Sequence, residues 1–291
     1  MSWLVKLVVV VLAVIGGWFL SIAPNNAALA DTMDDRNRPG FWQTEKAKFL
    51  DDAEVLAALR KALEKEGEGR VALASAEKLE DDIRELLFAE LADGRGVHME
   101  TVLTAIGAMA GFSCQMVIRE ELIAKGSARE ADVFQILETK DGQRYYTGDM
   151  INECLVEPKG ANLSVWTLVA AAPAKAGKPL PEIVPMFKNL GLSYGTKKFG
   201  VPLLPAKNMP KEMPEALLWK YWNIMRNLQL TEQSGVSTMP FVLGHLAQRL
   251  IAENPTVIDP TLGARIVMEA AIPMSRIAPE RVAYAYISGE K

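Results

Sequence analysis

A chain of 291 residues, 49% hydrophobic and 23% charged, has the apolar content to build a sizeable core and is far from the low-hydropathy signature of disorder. Its net charge of −4 argues against nucleic acid as a partner, because that binding rests on Lys and Arg neutralising phosphates. Two cysteines and two histidines are too few for a disulfide framework or a histidine-based metal centre, and no phosphate loop, dinucleotide fingerprint or Gly-x-Ser-x-Gly elbow occurs, so no cofactor and no metal are implied.

Residues 1–30 read as a membrane-targeting segment. Lys6 precedes an uncharged apolar stretch over 7–22, followed by Pro24 and by Ala28-Leu29-Ala30 before Asp31, the three parts of a secretory signal peptide. The same residues also fit an uncleaved anchor, since 3–22 is about the ~20 residues a spanning helix needs and Trp3, Trp18 and Phe19 suit the interfaces. Both readings stay open. A small-x-small cleavage site makes sense only if the rest is exported, so the expected location is the membrane or an extracytoplasmic space, with the cytoplasmic face of the membrane as the alternative.

Residues 31–40 are polar and aperiodic, as in a linker, and 41–291 are expected to form a single, mainly α domain with one small antiparallel β-hairpin. Asp51 and Glu54 open a helix with Val55, Leu56, Leu59 and Leu63 at helical spacing, ended by Gly67. A second helix, over about 75–92, puts Leu79, Ile83, Leu86, Leu87 and Leu91 on one face. The two are expected to pair as an antiparallel hairpin. Residues 97–122 carry no charge between Glu100 and Arg119, which predicts a central buried helix. Gly107 and Gly111 in it form a small-xxx-small pair that lets another backbone approach. A second membrane span, packed against another membrane protein, is the alternative, though Ser113, Gln115 and two threonines make it a poor one.

Residues 133–137 and 144–147 flank Asp141-Gly142, read as a two-residue type I′ hairpin turn. Gly148-Asp149 then look like a turn and N-cap for a short helix through Cys154. Residues 165–172 fit strand or helix equally. Eight of the sixteen prolines fall in 173–214, which leaves room for only a turn or two around 182–190. Helices follow at about 213–228, at 240–253 from Pro240, and at 260–275 with Asp259 as cap and Pro260 in the first turn.

The candidate catalytic groups are Cys114, His245 and Asp149. Cys114 and Cys154 could bridge, but the reading taken is two buried thiols. His98 cannot serve Cys114, because sixteen residues of continuous helix put them roughly 24 Å apart at 1.5 Å per residue. His98 and Glu100, two apart on a helix, are expected not to converge. Cys114 with His245 therefore carries the one enzymatic alternative, a thiol-dependent activity. Asp149 is explained as well by helix capping, and Glu269 by a structural ion pair with Arg265.

With no reactive groups brought together by spacing, the expected function is a non-catalytic, membrane-tethered or exported binding or assembly module. Its candidate surface lies in 173–226. Seven lysines against two glutamates give 173–214 a balance of +5, whereas 31–90 carry sixteen acids and ten bases, a balance of −6. Lys197, Lys198 and Lys207, with Trp219, Tyr221 and Trp222 beyond them, are the expected contacts for an anionic lipid surface or an acidic protein. The competing expectation has the aromatics in the core and the lysines docked on the acidic N-terminal helices.

Overall fold

The computed structural model describes residues 69–156 and 163–282. The expected leader, the linker and the helix beginning at Asp51 lie outside them. The body is mainly α. Helix α1 (Gly69–Leu91) runs into a two-residue antiparallel ribbon, β1 (Ala92–Asp93) with β2 (Gly96–Val97), and then into α2 (Met99–Ile118), whose last turn widens to a π-turn over Arg119–Ile123. A one-turn helix α3 (Glu130–Val133) leads into the hairpin of β3 (Gln135–Glu138) and β4 (Arg144–Thr147). The remaining helices are α4 (Asp149–Leu155), α5 (Val165–Lys175), α6 (Val184–Ser193), α7 (Pro214–Thr231), α8 (Met239–Glu253) and α9 (Pro260–Met274), with a closing 3-10 turn at Pro279–Val282.

Local signals explain most of these bounds. Pro214, Pro240 and Pro260 each occupy the first turn of a helix, where a missing N–H costs nothing, and the Asp259 carboxylate accepts the Leu262 N–H at 3.1 Å. Residues 165–172 resolve as helix because Ser164 and Thr167 form a reciprocal capping box in front of them. The 182–190 segment makes a ten-residue helix, longer than the prolines suggested, because Pro185 falls in its first turn rather than its interior.

The hairpin has a different turn from the one expected. Thr139 pairs with Gln143, leaving Lys140, Asp141 and Gly142 as a three-residue loop, and of these only Gly142 is left-handed, at φ 79°. That is a type I turn followed by a left-handed glycine, the next commonest hairpin connection after the two-residue turns.

Helix α2 is the axis of the fold. It is buried on all sides by α7, α8, α9 and α1. Its Met99–Ile123 stretch is long and apolar enough to cross a membrane, and an 18-residue apolar segment of it is 94% buried inside the protein. Against α9 the approach is backbone to backbone: a Cβ built on Gly107 would sit inside the Val267 carbonyl, and one on Gly111 inside that of Ala271. The Gln115 amide continues the same contact by donating to the Ser275 and Ile277 carbonyls at 3.0 and 3.2 Å, which satisfies groups at the end of α9.

Cys114 is joined to Cys154, with their Cα atoms 5.7 Å apart, so the expectation of two thiols is corrected. The bond ties the buried middle of α2 to α4. Closing a 40-residue loop stabilises by roughly 4 kcal/mol in a chain-entropy treatment.

Two outcomes test this packing. Gly107→Leu should lower stability by at least ~1–3 kcal/mol, because the Val267 backbone cannot retreat as a side chain could, while Gly94→Ala, which meets nothing, should be nearly neutral; chemical denaturation compares them. A non-reducing peptide map should recover Cys114 and Cys154 in one linked fragment, and Cys154→Ser should cost roughly 2–4 kcal/mol.

Candidate functional site

The three candidate catalytic groups do not meet. Cys114 is fully buried and bonded to Cys154, so it offers no thiol nucleophile in this structure. His245, on α8, gives its Nδ1 to Glu80 of α1 at 2.7 Å. Asp149 is exposed at the first residue of α4, with Gly148 rather than Asp149 in the capping position. His98 and Glu100 do converge, contrary to expectation, at 3.4 Å. The reason is that His98 sits at the extended N-cap of α2 rather than within the helix.

Sequence spacing did not reveal the buried polar groups that lock the helices together. Glu80 is 4% exposed and accepts from both His245 and Arg249 Nη1, each at 2.7 Å, pinning α1 to α8. This commits Glu80 to α8 rather than to the lysines of 173–214. Arg276 is buried beside Asn152, to which it donates, and burial pushes its guanidinium below the usual value. Its Nε and Nη1 have no hydrogen-bond partner among the described residues.

Glu269 forms the expected pair with Arg265, at 3.4 Å, and also accepts the Leu203 N–H at 3.2 Å. Burial pushes its carboxyl above the ordinary value, against the opposing pull of that N–H and of Arg265. It lines a shallow recess of about 10 Å³, room for about one water molecule, with Met186, Leu190 and Pro273. The recess is below the range of ~300–1,000 Å³ for sites that enclose a drug-sized ligand.

The aromatic part of the expected surface divides. Tyr221 and Trp222 are core side chains, Trp222 packing edge-on against Phe112 with ring centroids 4.7 Å apart, so they are withdrawn as contact residues. They lie one turn from Leu218 and Met225 on the inner stripe of α7. Trp219, on the opposite face, is 60% exposed.

The lysines are outside, held there by structure beneath them. After α6, Tyr194 turns the chain and Gly195 takes a left-handed conformation at φ 66°, which glycine adopts without penalty. Successive turns close by Thr196 N–H to Ser193 O at 3.0 Å, Phe199 N–H to Thr196 O at 3.1 Å and Val201 N–H to Lys198 O at 3.1 Å. The Tyr194 and Phe199 rings pack on buried Tyr145, with centroids 4.9 and 4.6 Å away, and the Gly195 N–H reaches the Tyr145 hydroxyl at 3.3 Å. The turn is thus pinned to the hairpin from below, while Lys197 and Lys198 face solvent.

Lys207 is exposed on the 3-10 turn Ala206–Asn208, which is tied to α2 by Asn208 Nδ2 donating to Glu100 at 3.1 Å. Lys211 is different. Its ammonium lies 2.6 Å from Asp93, whose carboxyl this bond, with the Arg95 N–H, holds down to about 2. One lysine of the segment therefore docks on the N-terminal side, whereas Lys197, Lys198 and Lys207 form no ion pair among the described residues.

Comparison of the chain with protein-family models, with curated proteins and with solved structures finds no match.

The Glu269 carboxyl gives a pH-dependent outcome. The folded protein holds this proton more tightly than the unfolded chain, so its contribution to stability is full below the unfolded value and is lost as pH rises through the folded one. Glu269→Gln should therefore gain on the wild type in melting temperature as pH rises through the mildly acidic range. A difference that stays constant with pH would show that Glu269 titrates as an ordinary carboxyl.

Proposed function

We propose that the chain is a non-catalytic binding or assembly module, exported or held at a membrane by its N-terminal apolar segment, and that the surface carrying Lys197, Lys198 and Lys207 is where it meets its partner. The observation that carries this reading is that these three lysines are exposed, and form no ion pair among the described residues, on turns that hydrogen bonds tie to the rest of the fold. A turn fixed by an aromatic cluster and a chain of hydrogen bonds gives up little conformational entropy on binding, which favours affinity.

The Cys114–Cys154 bond supports the exported placement, because disulfides persist in oxidising compartments and are rare where thiols are kept reduced. The same bond counts against the thiol-dependent alternative, which required a free Cys114. Buried Glu80 is engaged in holding α1 to α8 through His245 and Arg249.

Placing a photo-crosslinking residue at position 198 or 207 in the full chain, in its native membranes, should yield adducts that the same residue at exposed Glu90 on α1 does not. Lys197→Gln, Lys198→Gln and Lys207→Gln combined should leave the melting temperature unchanged. Absence of adducts at 198 and 207, or a loss of stability in the triple variant, would overturn the assignment.

A further inference from the structure

The lysine turn continues onto a face of mixed character. On α6 the outward positions are Pro185, Lys188 and Leu192, at helical spacings of three and four, and all three are exposed. Leu192 is 84% exposed and begins the turn that presents Lys197 and Lys198; Leu203, just beyond it, is 50% exposed although its backbone is fixed by Glu269 and Arg265. No acidic residue occurs between Glu182 and Glu212. The nearby hairpin loop, whose Thr139 abuts Gly195, holds Asp141, hydrogen-bonded by Thr139 and Gln143, so one negative charge stands beside the positive charges of Lys188, Lys197 and Lys198.

We infer that this face, Lys188, Leu192, Lys197, Lys198 and Leu203, lies against the headgroup layer of a membrane containing anionic lipid. The inference rests on the binding surface proposed above and names its partner. An acidic protein would take the same lysines and leucines, and the experiment below separates it from a bilayer. A bilayer interface takes both, since anionic headgroups attract the ammonium groups while leucine side chains enter the boundary of the acyl region. The sequence supplies the complementary circumstance, an apolar leader in the same chain that directs it to a membrane.

Acetylation footprinting of the full chain separates this from attachment through the leader alone, because it reads each lysine by itself. In nanodiscs of phosphatidylcholine with phosphatidylglycerol, Lys188, Lys197 and Lys198 should acetylate several-fold more slowly than in phosphatidylcholine alone, and high salt should abolish the difference. Lys78, paired with Glu232 on another part of the molecule, should react alike in both. Leu192→Ser, at a position that contributes nothing to the core, should reduce the protection of all three, and Lys197→Gln with Lys198→Gln should reduce that of Lys188. Equal acetylation in the two lipids overturns the inference. Protection that appears only on adding soluble native proteins also overturns it, while leaving the binding surface itself in place.

Discussion

The contact on which the rest of this structure depends is the crossing of α2 and α9, where two glycines replace side chains with direct backbone approach. Gly107 and Gly111 are one turn apart, as are Val267 and Ala271, so the two helices meet over a full turn rather than at a point. Such closeness leaves no room for adjustment, since packed interiors transmit displacement rather than absorb it. The position of α9 then decides much else. Its end is held by Gln115, and the strand-like residues after it pair with the hairpin, through Tyr146 N–H to Arg276 O at 2.8 Å and the Tyr145–Ile277 bridge. Glu269, on the same helix, holds the backbone of Leu203. The lysine turn is therefore placed by a chain of contacts that begins at two glycines in the core.

Charge is divided between two uses. Some ionic groups join elements of the fold: buried Glu80 binds α1 to α8, and half-buried Arg281 makes a bidentate bond to Glu215 of α7 while lying over Tyr145 and Phe199. Outside, the lysines of the α6 face have no such partner among the described residues. Glu80 is buried, so removing the groups it pairs with is costly. The exterior lysines can be changed at little cost to the fold, which is the property of a surface whose charge serves something other than stability.

Much of the architecture was legible because its signals are local. Pro214, Pro240 and Asp259-Pro260 mark helix starts by chemistry confined to one turn, and the glycine spacing in 97–122 announced a close helix contact without saying which helix would fill it. Residues 165–172 were ambiguous because nearly every position is apolar, and the deciding Ser164–Thr167 cap stands just outside the run. The inward position of Trp222 is legible in its helical spacing to Leu218 and Met225, although aromatics are also enriched at interfaces. The Cys114–Cys154 bond was one of two readings open in the sequence, and Glu80 with His245 could not be read at all. They are 40 and 165 residues apart, and only the three-dimensional path of the chain brings them together. For the site the exposure of Lys197, Lys198 and Lys207 followed expectation, whereas the engagement of Glu80 by α8 depends on tertiary packing.

The central claim is that α2 and α9 form one cooperative unit through backbone contact. Native-state amide hydrogen exchange measures this most directly, because it reports the free energy at which each helix opens. The buried amides of both helices should exchange only through global unfolding, with matching opening free energies at residues 103–115 and 264–272. Exchange of α9 through a smaller opening, while α2 stays protected, would contradict the account.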